Sequence, residues 1–434
     1  MGSQIRDILR VYGLAALLIV ILFAVAIRYV APPPPKVLRF AAGARDGFYY
    51  TDAMAYKNAL ARDGIDVQLV ETQGAVDNLH MLIDKPDAVD VALVQGGLTG
   101  ELPDSDNAKR VVAIAGLFYE PAWVLLRAGL HIRHVSELKH RRVAIGLEGS
   151  GTRVLAEQLL AANNLAAADV TTLKMGNDEA LAALDKGEID AAFFVAGAPS
   201  PGMMDLLTRK HAFIMSFDQA DAYLMKFPFL TSAPLPIGAV SLAADVPATR
   251  MTLVAPTAML LARDDIHPAL VTLLLRAASR MESGRQLFAP AGTFPTLQNL
   301  DFPAQGDAQR FFDRGGASIL FRFLPFNIAV WLQRMVVLVV PLLTMLPILR
   351  LAPPAYRWQM QRKIYRWYIQ LRRIEAELDA APAAEQRDKL RHELADIERH
   401  LLKLRLPISY VQQLYGLREH VDFVRARLGE RTSA

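Results

Sequence analysis

The chain has 434 residues, with 48 Lys and Arg against 44 Asp and Glu, no cysteine, and a mean hydropathy of +0.21. Without thiols, disulfide scaffolds, cysteine-bound zinc, iron–sulfur clusters and cysteine nucleophiles are excluded. The charge is uneven: from Arg350 onward, Lys and Arg outnumber Asp and Glu by 17 to 11, leaving a net of −2 for everything before it. The main body therefore offers no basic footprint for nucleic acid.

In chain order, residues 1–10 are a short amino-terminal stretch carrying Arg6 and Arg10, followed by 17 residues without charge from Val11 to Ile27. That length suits a membrane anchor over 11–30 or the core of a signal sequence, and Ala24-Val25-Ala26 would fit a cleavage site. Either reading exports the domain on its carboxyl side. The run Pro32 to Pro35, within 31–36, reads as an extended spacer.

From 37 to 316, short apolar runs alternate with helical patterns, which predicts an α/β domain built on largely parallel sheets. Strands are expected over 37–42, 66–70, 89–94, 111–115, 122–127, 142–146, 191–195 and 253–262. Helices are expected over 52–62, 75–83, 152–163, 178–185 and 268–281. Three strand-to-helix turns are rich in small and hydroxyl residues: Gly43 to Thr51, Glu71 to Ala75, and Gly146 to Thr152. Each puts a glycine loop at a helix amino terminus, where unpaired N–H groups and the helix dipole favour an anion such as a carboxylate. Ser150 and Thr152 add hydroxyls, and Tyr49 and Tyr50 add flat walls with polar tips.

Taken together, these loops resemble the TAXI-type solute-binding subunits of TRAP transporters. The matching pieces are Gly43 to Tyr50, Thr72-Gln73-Gly74 with Asn78 and Leu82, Val91 to Gln95, Val143 to Gly146 with Gly149 to Thr152, and Gly187 to Pro199. The resemblance covers about 37–281 and implies a two-lobed, type II periplasmic-binding-protein fold closing on a small organic acid or amino acid. Lobe one would be 37–126 and 250–315, lobe two 127–249, with hinges near 126–129 and 250–253. Ligand contacts are then expected from Gly47, Tyr49, Tyr50, Thr72, Gln73, Gly74, Asn78, Gln95, Gly149, Ser150, Gly151, Thr152, Arg153 and Phe194. Ala75 and Gly96-Gly97 depart from the family pattern, where serine and Ser-Asp are usual. Arg45 and Arg153 suit either a ligand carboxylate or the neighbouring Asp46 and Glu157.

Chemistry is not indicated. The group His131, His134, Glu137 and His140 lacks metal-site spacing, Gly149-Ser150-Gly151 is neither a nucleophile elbow nor a phosphate-binding loop, and Asp264-Asp265 and Asp104/Asp106 lie in polar loops. No enzyme activity, cofactor or metal is expected.

A second apolar segment, 325–349, is followed by seven Lys and Arg before Glu375 with Tyr and Trp interleaved, which predicts a second span with its carboxyl end in the cytoplasm. Both termini would then be cytoplasmic and 31–324 extracytoplasmic, in a bacterial inner membrane. The tail 350–434 reads as helices with breaks at Ala380-Ala381-Pro382 and Pro407, forming a helical hairpin or coiled coil that suits lipid head groups, a homo-oligomer or a cytoplasmic partner. The expected function is solute capture for a TRAP-type permease. The alternatives are a ligand sensor using the same domain, or a scaffold whose cleft binds nothing.

Overall fold

The computed structural model describes residues 2–29, 32–166, 168–380, 383–404 and 410–430. Helix α1 (Gly2–Tyr29) comes first, then β1 (Val37–Gly43), α2 (Phe48–Ala61), β2 (Asp66–Glu71), α3 (Ala75–Asp84), β3 (Val91–Gln95), the one-turn α4 (Asp106–Lys109), β4 (Val111–Tyr119) and β5 (Ala122–Arg127). Next come β6 (Arg142–Ala144), α5 (Gly151–Ala162), β7 (Thr171–Leu173), α6 (Asn177–Asp185), β8 (Ala191–Val195), α7 (Pro201–Thr208), β9 (Ala212–Ile214), α8 (Ala220–Lys226), β10 (Thr231–Leu235) and β11 (Met251–Ala255). The chain continues through β12 (Thr257–Arg263), α9 (Pro268–Glu282), α10 (Gly306–Asp313), α11 (Ile319–Phe323), α12 (Phe326–Asp379), α13 (Ala384–Lys403) and α14 (Val411–Glu430).

Two units result, Pro33–Val330 and the combination of Met1–Pro32 with Trp331–Ala434. The first contains two five-stranded sheets, ordered β2-β1-β3-β12-β4 and β7-β6-β8-β5-β9. Each has three parallel strands and then an antiparallel one, β12 or β5, beyond which β4 or β9 runs with the first three, so the sheets are largely parallel as expected, with one reversed strand each. Strands such as β3, Val-Ala-Leu-Val-Gln, are buried along their whole length because helices cover both faces of the sheet.

The expected strand 253–262 is two strands in two different sheets. Pro256 separates β11, which pairs with β10, from β12, which crosses lobe one. Pro121 likewise separates β4 from β5, and a proline cannot donate to either ladder. The chain thus changes lobe at Glu120–Pro121 and at Pro256, earlier than 126–129 and later than 250–253. The crossings touch: the Glu120 amide donates to the Pro256 carbonyl at 2.9 Å. The cores respect this division, one including Phe40, Leu93, Phe118 and Leu260, the other Trp123, Phe193, Leu253 and Val254. Trp123 is fully buried, with its indole N–H on the Ala196 carbonyl at 2.9 Å.

In the second unit the expected hairpin is a three-helix cluster. Met360, Ile364, Leu371, Ile374 and Leu378 of α12 pack with Leu390, Leu394, Ile397 and Leu401 of α13 and with Leu414, Leu417, Val421, Val424 and Leu428 of α14. Their three- and four-residue spacing makes one apolar stripe per helix, and the third helix covers what two would leave wet. The ion pairs Arg373–Glu393 and Arg425–Glu398 bridge between helices. The breaks expected at 381–382 and at Pro407 lie outside the described residues.

The two expected spans are both helical, but among the described residues no helix is long and apolar enough to cross a membrane. The charge-free run 11–27 covers about 25 Å as helix, and the uncharged part of α12 between Arg334 and Arg350 about 22 Å, against a hydrocarbon core of about 30 Å. Four prolines, Pro341, Pro347, Pro353 and Pro354, also stand within α12.

Candidate functional site

Four loops converge where the lobes face each other. β1 ends at Gly43, which adopts φ +77°, and α2 starts behind Gly47, which supplies no side-chain cap. β2 leads to Thr72-Gln73-Gly74 and α3, whose cap Gly74 likewise lacks a side chain to offer. β6 leads to α5, capped by Ser150 Oγ accepting the Arg153 amide at 3.3 Å. β7 leads to α6 behind Gly176, again without a side-chain cap. Helix starts of this kind carry unpaired N–H groups and the positive end of the dipole.

The lobes are in contact. The Val76 and Asp77 amides at the start of α3 both donate to the Gly149 carbonyl at 3.1 Å, so lobe two itself occupies that helix end. Gln95 Nε2 donates to the Gly151 carbonyl at 3.2 Å and Gln158 Nε2 to the Gly97 carbonyl at 3.3 Å. Two glycines are required by this approach. A Cβ on Gly74 would lie 3.0 Å from Ser150 Cα, and one on Gly149 would run into the Asp77 carboxylate. Ala75 and Gly97 serve the same contact: Ala75 packs where Gly151 arrives, and the Phe229 ring fills the space a side chain on Gly97 would need.

Between the loops is a cavity of about 90 Å³. Of the expected residues, Gly47, Tyr49, Gln73 and Gly74 line it from lobe one with Gln95, and Ser150, Gly151 and Thr152 line it from lobe two. The others stand elsewhere. Thr72 donates to Asn78 Oδ1 at 2.5 Å and Asn78 donates to the Leu93 carbonyl at 2.8 Å, a buried brace behind the loop. Gly149 makes the lobe contact, Tyr50 packs on the lobe-one core, Phe194 is inside the lobe-two core, and Arg153 pairs with Glu157 at 2.8 Å. Arg45 pairs with Glu71 at 2.7 Å in an exposed position.

The cavity also has residues that the sequence reasoning missed: Asp46, Phe48, Glu120, Gly176 and Asn177. Glu120 had a signal. It is a lone acid between two continuous apolar strands, at the proline where the chain changes lobe. It is 2% exposed, and Tyr49 donates its hydroxyl to Glu120 Oε2 at 2.7 Å. Burial pushes the Glu120 carboxyl up to about 8, the Tyr49 hydroxyl pulls the other way, and the Asp52 charge adds to the rise. Behind it, burial and then the Glu282 charge push Asp52 up to about 8. Burial also pushes Glu282 to about 7 against the opposing Gln286 amide. Asp52 Oδ2 and the Tyr56 hydroxyl are buried without a hydrogen-bond partner. Among the described residues that line the cavity there is no Lys, Arg or His.

Among the described residues no group of three or more His, Asp and Glu side chains is placed to hold a metal ion. His131 packs on Phe213, and Glu137 accepts the Arg133 and His134 amides at 2.9 and 2.8 Å, closing a local turn.

Residues 40–288 match the NMT1-like family. Among solved structures, the alkanesulfonate-binding protein SsuA from Xanthomonas axonopodis pv. citri bound to MOPS is similar at 15% identity, over 57% of this chain and 74% of that one, with a TM-score of 0.38. The periplasmic aliphatic sulphonate binding protein SsuA from Escherichia coli matches at 16% identity over 57% and 69%, with a TM-score of 0.36. An ancestral arginine-binding protein bound to arginine matches at 15% identity over 57% and 92%, also at 0.36. Likeness at that level bears on neither ligand nor partner.

Proposed function

The chain belongs to the NMT1-like family, and from that premise and its cleft we propose that it is a solute-binding protein that captures a small organic acid or amino acid by lobe closure. The observation that carries this reading is the cavity lined from both lobes, beside the two crossings that would act as hinge. Helix starts at α2, α5 and α6 supply N–H groups to it, and Tyr49, Gln95 and Thr152 supply side-chain hydrogen bonding. Closure excludes water and strengthens each of these contacts.

The finer reading is a TAXI-type subunit with its domain outside the cytoplasm, delivering its solute to a TRAP-type permease. Tethering to the inner membrane is supported by the apolar side chains that α1 and α12 leave exposed, among them Leu14, Val20, Ile27, Trp331 and Leu343. A chain that stays in the supernatant when membranes are pelleted would overturn the tethering.

The test of capture is thermal unfolding of the full chain against small organic acids and amino acids. A ligand at 100 times its Kd adds about 2.7 kcal/mol, a shift of several degrees at this size. A folded chain that shifts with none of them defeats the reading. A second reading, a sensor that relays closure to the carboxyl-terminal helices, is favoured by one observation: those helices enclose an apolar core of their own, more than delivery requires. Capture of a partner by residues 350–434 that depends on bound solute would select it.

A further inference from the structure

The cleft has an acid at its hinge and no Lys, Arg or His among its described lining residues. Glu120 belongs to the crossing between β4 and β5 and is held there by its amide on the Pro256 carbonyl at 2.9 Å, so both connecting strands fix its position. Its carboxyl lines the cavity, 2% exposed, with one oxygen on the Tyr49 hydroxyl at 2.7 Å. The second acid of the wall is Asp46, and no cationic side chain stands among the described lining residues. The nearest charges behind Glu120 are acidic as well: Asp52 on α2, with Glu282 on α9 beyond it. In the other part of the wall, Phe48 and Asn177 open α2 and α6, two helix starts without a side-chain cap.

An amine-free diacid would bring two further carboxylates against Glu120 and Asp46. A zwitterion meets the opposite arrangement, its amine facing a buried carboxylate and its acid facing helix N–H groups. We propose that Glu120 receives a protonated nitrogen of the bound solute, so that the cleft selects amine-bearing solutes, zwitterions above all, over amine-free acids.

This inference rests on the solute-capture reading and narrows it. It has a consequence for protons. In the empty cleft, burial keeps Glu120 largely protonated near neutral pH, with Tyr49 and Asp52 the groups that face it. A cationic nitrogen favours the ionised form, so binding releases a proton at pH 7.

The experiment is calorimetric titration of the full chain at pH 7. One set of probes is the proteinogenic L-amino acids, 4-aminobutyrate and putrescine; the other is succinate, glutarate, butyrate and lactate. Amine-bearing probes are expected to bind, with proton release visible as a dependence of the heat on buffer ionisation. Glu120→Gln should weaken the best of them 10- to 100-fold, the range expected for a charge-assisted hydrogen bond in a buried site. An amine-free acid that binds at least as tightly as its amine counterpart overturns the selectivity on the native protein alone, whatever the variant does. So does an unchanged affinity in a folded Glu120→Gln. Binding by neither set to a folded chain would remove solute capture itself, and this inference with it.

Discussion

The two lobes are built alike and charged differently. In lobe one, Arg39 at the start of the sheet clamps Asp90: its amide donates to Asp90 Oδ2 at 2.8 Å and its guanidinium reaches Oδ1 at 2.7 Å. Lobe two repeats the device. The Arg142 amide donates to Asp190 Oδ2 at 2.9 Å, with Arg142 and Arg127 side chains on the same carboxylate. Burial pushes Asp190 up, but the Arg142 amide and guanidinium, with Arg127, outweigh it and hold the group down at about 2. Asp52, Glu120 and Glu282 of lobe one are raised by burial, with no arginine among the causes of their shifts. A fold that twice matches an acid with arginine at its strand starts, and leaves others unmatched beside the cleft, separates structural carboxylates from those available to a ligand.

The largest effect that could break this contrast is expected at Asp190. Asp190→Asn removes the ionised acceptor from two arginines and should cost about 3 kcal/mol, read as a lower midpoint in urea unfolding. A loss below about 1 kcal/mol would mean that the lobe-two carboxylate is not structural. Next is the pH dependence of the empty protein. Carboxyls raised to about 7 and 8 in the fold and near 4 when unfolded contribute stability that is fully present below about pH 4. That stability is lost as pH rises through 8. The melting temperature should therefore fall between pH 5 and 9 by at least about 5 °C, and Asp52→Asn should flatten the slope. A melting temperature that rises over that window would place compensating charge beside these acids after all.

Much of the architecture is legible because strands buried on both faces read as unbroken apolar runs, as β3 and β4 do. The same property hides topology. Residues 253–262 read as one strand because apolarity continues across Pro256, although β11 and β12 belong to different sheets. The strands β7 and β9 have only three residues each and leave no periodicity to find. At the site, Gly47, Gly74 and Gly151 are legible because a glycine loop before a helix is a local signal. Glu120 is legible only as a lone acid at a proline between apolar strands, because its role comes from Tyr49, 71 residues away. Arg153 was misleading for the complementary reason: Glu157, one helical turn away, takes its Nε at 2.8 Å, while its Nη1 stays buried without a hydrogen-bond partner.

Smaller effects test how the lobes meet. Gly149→Ala puts a methyl at φ +82° against the Asp77 carboxylate, about 1 kcal/mol of backbone cost before the clash is relieved by parting the lobes. Affinity should fall about tenfold for any bound solute while the melting temperature of the empty protein drops by only a few degrees. Equal affinity in the variant would show that the seal between Gly149 and α3 forms no part of closure.

The smallest effect is expected at Thr152, in the first turn of α5 on the lobe-two wall. Ser150 already caps that helix, so the Thr152 hydroxyl is not needed to start it. Thr152→Ala should leave thermal unfolding unchanged and weaken solute binding about three- to tenfold, the contribution of one neutral hydrogen bond. A loss of stability instead would make Thr152 part of the helix start. Full affinity with full stability would mean that lobe two supplies backbone and shape, and that the side-chain recognition comes from lobe one, where the unmatched acids are.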